Sequence, residues 1–267
     1  MSRPIIACVC LLVIVLSAMA GCVSVDDNIK EDFKGSYDAP PGTVLTVLSI
    51  NGYVEIESIV GDAIKLDAIK VSNKGQDGMD RIHIDVTETT DLVTITARIE
   101  GNQGSLGVRM KLQVPAGVHV TDVETSNGRI ELRGTTGNST LETINGDVWV
   151  QDVNGFVKVS TDNADITVKN TDGIRDLKTS NGLIDAEIQA LAGDTKVETA
   201  NGPITLHIND GLDVHMTAST SNRDITVHDD LVTDTDGSAT ELDGTLGTGA
   251  IKLMIDTDNG DIDLYKL

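Results

Sequence analysis

The sequence predicts an all-β protein: a β-solenoid of stacked 18–21-residue, two-strand coils over residues 123–267, preceded by a β-sheet layer over 43–122. Aromatic residues make up 2 % of the chain against 39 % hydrophobic, so the core must be built from Val, Ile, Leu and Ala, which suits thin β-layers. Short runs such as Val54-Glu55-Ile56-Glu57 and Val93-Thr94-Ile95-Thr96-Ala97 alternate apolar and polar with period two, the mark of a half-buried strand. From Val123 onwards the chain repeats itself.

The repeat is anchored on asparagine. Asn127, Asn145, Asn163 and Asn181 are 18 residues apart, and Asn201, Asn222 and Asn259 follow after longer steps. Two residues before each stands a threonine, from Thr125 to Thr257, and the residue after is Gly in five of the seven units. Ile130, Val148, Ile166, Ile184, Ile204, Ile225 and Ile262 follow three positions later, with a second aliphatic residue at five. The spacing describes a strand, an Asn-Gly corner that tolerates positive φ, and a second strand with alternate side chains inward. One such unit cannot bury its apolar face, whereas stacked units bury a continuous one. Stacked Asn side chains would then bond to one another as a structural turn ladder. Asn-Gly is also a hairpin signal, so an antiparallel sandwich or hairpin array is the alternative topology.

The region from 43 to 122 shows alternating strands separated by turn-rich pieces and is expected to form an antiparallel layer. Residues 22–42 are polar, unpatterned and end in Pro40-Pro41-Gly42, which reads as a tether. Residues 1–21 read as a signal peptide, with Arg3, an apolar stretch from Ile5 to Val15, and small residues ahead of Cys22. Met19-Ala20-Gly21-Cys22 resembles the lipobox of bacterial lipoproteins. That resemblance implies a diacylglycerol thioether on Cys22, extracytoplasmic placement, and a membrane as partner through the lipid. Cys8 and Cys10 would leave with the signal peptide, so the body has no disulfide.

A formal net charge of -22 excludes nucleic acid as a partner, because no basic stripe is present to neutralise phosphates. Several residue groups invite chemistry. His207 and His228 fall six residues after their Asn and would stack on adjacent coils with His215 nearby, a geometry that could bridge a metal. Their column also holds Arg133, Gln151, Lys169 and Glu187, as an ordinary outward polar row does. Calcium is the cation suited to the oxygen-rich turns 256–261 and 234–237, although neither matches an EF-hand loop. Asp147 and Asp165 would lie about 5 Å apart on neighbouring coils, the arrangement of a carboxylate pair. Gly244 to Gly249 is glycine-rich but has no following helix, so it reads as a flexible loop. Trp149 should face outward and offers a surface contact. Asp261 to Leu267 should form an open C-terminal edge.

The run Val114-Pro115-Ala116-Gly117-Val118, followed by Thr125-Ser126-Asn127-Gly128-Arg129-Ile130 and its recurrences, resembles the putative adhesin family of β-strand-repeat proteins of bacteria and archaea. The resemblance spans roughly residues 43 to 267. It implies a β-repeat body at the cell surface and brings no active-site residues. The functional expectation is a lipid-anchored, non-catalytic surface module with a glycan or surface protein as ligand and no cofactor. The alternatives are an architectural or envelope-stress protein bound at its C-terminal edge, or a carbohydrate-active β-helix enzyme.

Overall fold

The computed structural model describes residues 28–101 and 104–267, without the side chains of 233–236. The signal peptide and Cys22 lie outside the described residues. In chain order the elements are β1 (Ile29–Asp38), β2 (Val44–Leu48), β3 (Val54–Ile59), β4 (Ala63–Ser72), α1 (Gly75–Met79), β5 (Ile82–Glu88), β6 (Leu92–Ile99) and β7 (Gly107–Pro115). They continue with β8 (His119–Asn127), β9 (Ile130–Arg133), β10 (Ser139–Asn145), β11 (Val148–Ser160), β12 (Ile166–Lys178), β13 (Ile184–Ile188) and β14 (Leu191–Asn201). The last are β15 (Ile204–Ile208), β16 (Val214–Thr220), β17 (Ile225–Val227), β18 (Thr233–Gly237), β19 (Glu241–Leu246), β20 (Ile251–Asn259) and β21 (Ile262–Lys266).

Successive units pair in parallel and in register, Leu141 with Val123, Val148 with Ile130, Ile184 with Ile204, which is the solenoid and not a hairpin array. One wall, which precedes the Asn corners, runs β6-β2-β8-β10-β11-β12-β14-β20-β16 in parallel. The other, which follows them, runs β7-β3-β9-β11-β12-β13-β15-β21-β17. Strands β11 and β12 serve both walls by bending near Asp152 and Asn170, which adopt φ of 57° and 50°. The aliphatic positions predicted to face inward are buried except Ile225 and Val227 in edge strand β17. Each fully buried Val, Leu or Ile contributes roughly 1.5–3 kcal/mol, and stacked rows of them hold the body together without a disulfide.

Three features depart from the expected organisation. Residues 29–38, placed in the tether, form β1, paired antiparallel with β4 along its whole length. The alternation of Phe33, Gly35 and Tyr37, half-buried beside exposed neighbours, was the available signal. The layer over 43–122 is only partly antiparallel: β1-β4-β7 and β5-β6 are, but β2-β3 is a parallel coil that pairs with β8-β9 across the expected boundary. Its corner is Asn51-Gly52, an eighth unit with Ser49 at the threonine position and Val54 and Ile56 inward. Finally, coils are not stacked in chain order at the C-terminal end. Strands β20 and β21 sit between β14 and β16 and between β15 and β17. The edge expected at Asp261 to Leu267 is therefore interior, and antiparallel strands β19 and β18 close that end of the first wall.

Candidate functional site

The Thr-x-Asn-Gly corner is a contact device between coils. The Gly128 carbonyl accepts the Thr143 hydroxyl at 3.1 Å, and a Cβ on Gly146 would lie 2.1 Å from the same oxygen. Gly182 stands in that relation to Ala164 at 2.0 Å, and Gly260 to Gly202 at 1.8 Å. Each corner threonine is buried and donates to the corner carbonyl of the coil beneath, as Thr161, Thr179, Thr199, Thr220 and Thr257 do at 2.9–3.2 Å. Glycine is thus required for close backbone approach. The expected positive φ is not the general reason: Gly52 and Gly202 have it, at 121° and 158°, but Gly128, Gly146, Gly182 and Gly260 do not. The two exceptions, Ala164 and Arg223, fall in bends where the chain leaves strand geometry, at 161–165 and 221–224.

The predicted asparagine ladder is present. Asn127 donates to Asn51 at 2.7 Å, Asn145 to Asn127, Asn163 to Asn145, Asn181 to Asn163 and Asn201 to Asn181 at 2.8–2.9 Å. Asn259 then donates to Asn201 at 2.9 Å, and Asn222 to Asn259 at 2.8 Å. The ladder starts at Asn51, whose amide donates to the Leu106 carbonyl at 3.0 Å. Asp147 and Asp165 are not a free carboxylate pair: each accepts a backbone N–H of the next coil, from Asp165 at 3.3 Å and Leu183 at 2.9 Å. Asp261 does the same for Asp224 at 3.3 Å.

The outward rows form two flat faces. On the second wall, Trp149 does face outward but is half-buried, with the Arg133 guanidinium 4.4 Å from its ring centroid. Glu131, only 12 % exposed at its side chain, joins Arg129 at 3.1 Å and also Arg133. Glu55 and Glu57 stand in register beside Glu131 and Arg133 on β3 and are paired with Lys111 at 2.9 and 3.5 Å, so the two arginines flank Glu131 within a ladder of mixed charge. Further along the same face, the Tyr265 ring lies between His207 and His228, with centroids 5.1 and 4.1 Å away and rings inclined by 17° and 2°. The two histidines are therefore not neighbours, because the inserted β21 separates their coils, and His228 instead meets Asp263 at 3.1 Å. On the first wall, hydrogen bonds from Lys178 and Lys196 hold the Glu198 carboxyl below the usual carboxylate range.

The glycine-rich stretch 244–249 is not a free loop. Gly244 to Leu246 belong to β19, and the Asp213 carboxylate accepts the Thr248 N–H at 2.6 Å, the Thr248 hydroxyl at 2.7 Å and the Ala250 N–H at 3.2 Å. In the acidic turn 256–261, Asp256 takes the Ser219 hydroxyl at 2.7 Å and lies 3.6 Å from Lys196. The side chains of Asp234 and Asp236 lie outside the described residues, and among those described no three His, Cys, Asp or Glu groups converge on a point. Open depressions of about 450 and 430 Å³ lie beside Asn51, Arg109 and Asn127 and beside Asp152, Asn170 and Asp172. Among the described residues no helix is long and apolar enough to cross a membrane.

Fold and corner together define a β-solenoid with an internal Thr column, an external Asn column and polar outer faces. The chain belongs to the Toastrack family, whose DUF4097 model matches residues 45–265. No curated protein matches it. Among solved structures it is similar to a putative cell adhesion protein from Clostridium sporogenes, at 11 % identity over 89 % of this chain and 100 % of that one, with a TM-score of 0.37. It is also similar to a putative adhesin from Bacteroides fragilis, at 12 % identity over 88 % and 97 %, with a TM-score of 0.33. A third, a putative adhesin from Parabacteroides distasonis, is 11 % identical over 87 % and 97 %, with a TM-score of 0.37. Likenesses at this level carry no function to this chain.

Proposed function

We propose that the protein is a non-catalytic surface module, held at the membrane by a lipid on Cys22, that binds a glycan or surface protein through its flat outer faces. The observation that supports this reading is where the reactive-looking groups are engaged. Asp147, Asp165 and Asp261 accept backbone N–H groups of neighbouring coils, and the Asn column bonds to itself, so these residues serve stacking. The groups left facing solvent form ladders on the walls, and the Arg129-Glu131-Arg133-Trp149 cluster, with a guanidinium over the indole ring, is the part of the second face suited to a polar, partly apolar ligand.

Two measurements test the proposal. Fatty-acid labelling of intact cells should mark the wild type, and Cys22→Ala should lose the label and release the protein from membranes. Arrays of envelope glycans and extracted surface proteins should bind the wild type, and Arg133→Ala with Trp149→Ala should weaken binding at least tenfold with circular dichroism unchanged. Binding that both variants retain places the contact off this cluster. Turnover of any acidic polysaccharide, abolished by Asp165→Asn, would overturn the non-catalytic reading.

A further inference from the structure

The coil β20-β21 follows β16 to β19 in the chain but lies inside them, between β14-β15 and β16-β17. After β15 the chain does not fill the next level. The loop from Asn209 to Asp213 climbs two coil levels, roughly 10 Å, to start β16. Strands β16 and β17 thus leave a slot one coil high, with Val197, Ile204 and Leu206 on one side and Met216 and Ala218 on the other. Residues 251–266 return to fill it, burying Leu253, Ile255, Ile262 and Leu264 completely.

Every interaction of this coil is one that an identical segment could make. Its strands pair in parallel on both sides, Asn259 takes its place between Asn201 and Asn222, and Tyr265 between His207 and His228. Lys266 reaches Asp210 at 2.5 Å. The connection into the coil is the four residues 247–250, with Gly247 and Gly249 at φ of 75° and 78°, crossing the start of β16 and clamped there by Asp213. A glycine hinge feeding a separable element that re-forms the same contacts in either copy is the condition for exchange at little cost.

We propose that residues 251–267 are an exchangeable donor coil, and that two copies of this chain associate by each placing β20-β21 into the slot of the other. The slot accepts a segment with the inward pattern Leu253, Ile255, Thr257, Ile262 and Leu264 around an Asn-Gly corner, a pattern that the partner copy carries.

Outward neighbours Thr205 and Asp263 face each other across β15 and β21 and supply the test. Full chains carrying Thr205→Cys alone and Asp263→Cys alone are co-expressed, oxidised and digested. The expected product is a reductant-sensitive species of twice the chain mass, with a cross-linked peptide joining position 205 of one chain to position 263 of the other. The double variant calibrates the pair: its 205–263 link closes within one chain in a monomer and between chains in an exchanged dimer. If the double variant closes and the mixed single variants give no 205–263 link, exchange does not occur and the proposal falls. Should the double variant not close, light and 15N-labelled wild-type chains refolded together and cleaved within 247–250 decide: native mass spectrometry showing a light 251–267 segment held on a 15N body supports exchange, and segments held only on bodies of their own isotope refute it.

Discussion

Substituting Gly182 by alanine separates two explanations of the corner glycine that differ in sign. If the glycine were present for backbone freedom, alanine at a φ it tolerates would leave stability unchanged or raise it by about 0.4–1 kcal/mol. The stacked geometry gives the opposite result. The new Cβ would sit 2.0 Å from the Ala164 carbonyl oxygen, so the coils must separate by about 1 Å to restore even a tight contact. Such overpacking costs typically about 1–3 kcal/mol. The same displacement stretches the Thr179 hydroxyl bond to Ala164 and the Asn181 amide bond to Asn163, both 2.9 Å, each worth about 1 kcal/mol. The expected loss is therefore about 3–5 kcal/mol, with Tm falling by roughly 2–4 °C for each kcal/mol. Urea unfolding read by circular dichroism measures it, with the change in midpoint and not in slope. Gly61→Ala is the control, since its Cβ would meet only Ile59 Cδ1 at 3.7 Å and should stay within about 0.5 kcal/mol. A Gly182→Ala protein as stable as wild type would refute the close-approach account of the repeat.

Two further outcomes follow from the corner and from the hinge. Thr179→Val, which keeps shape but removes a buried hydroxyl bonded at 2.9 Å, should cost about 1–2 kcal/mol in urea unfolding. Ser49→Ala at the equivalent position of the first coil should be neutral or stabilising, because that buried hydroxyl has no partner. At the hinge, the Thr248 hydroxyl first, then the Ala250 N–H, holds the Asp213 carboxyl below its ordinary 3.8. A depressed folded value means the clamp contributes fully above 3.8 and is lost as pH falls through the folded value. The protection of amides 247–250, taken as the exchange rate relative to the intrinsic rate at each pH, should therefore be high at neutral pH and fall only in strong acid, and Asp213→Ala should show low protection throughout without the acid step.

Much of the protein was legible in its amino acids alone. Inward aliphatic positions and equivalent Asn positions follow from period, because residues at equal offsets occupy equal places in their coils, whereas the same spacing also suits a hairpin array and the parallel pairing was decided by the fold. The first coil escaped notice since Asn51 stands 76 residues from its neighbour Asn127, and with Ser49 in place of threonine its pattern is weaker. The engagement of Asp147 and Asp165 was also invisible, for residue type does not tell whether a carboxylate faces a ligand or the N–H of the next coil.

Local pattern determined what each coil is and which of its side chains point inward. It could not determine the order in which coils are stacked, because every unit carries the same register and fits against any other. Only tertiary structure placed Asn259 between Asn201 and Asn222 and Tyr265 between two histidines. The physical reason is that pairing is decided by which edge is open when a strand arrives, and the 209–213 loop leaves that edge one level below β16.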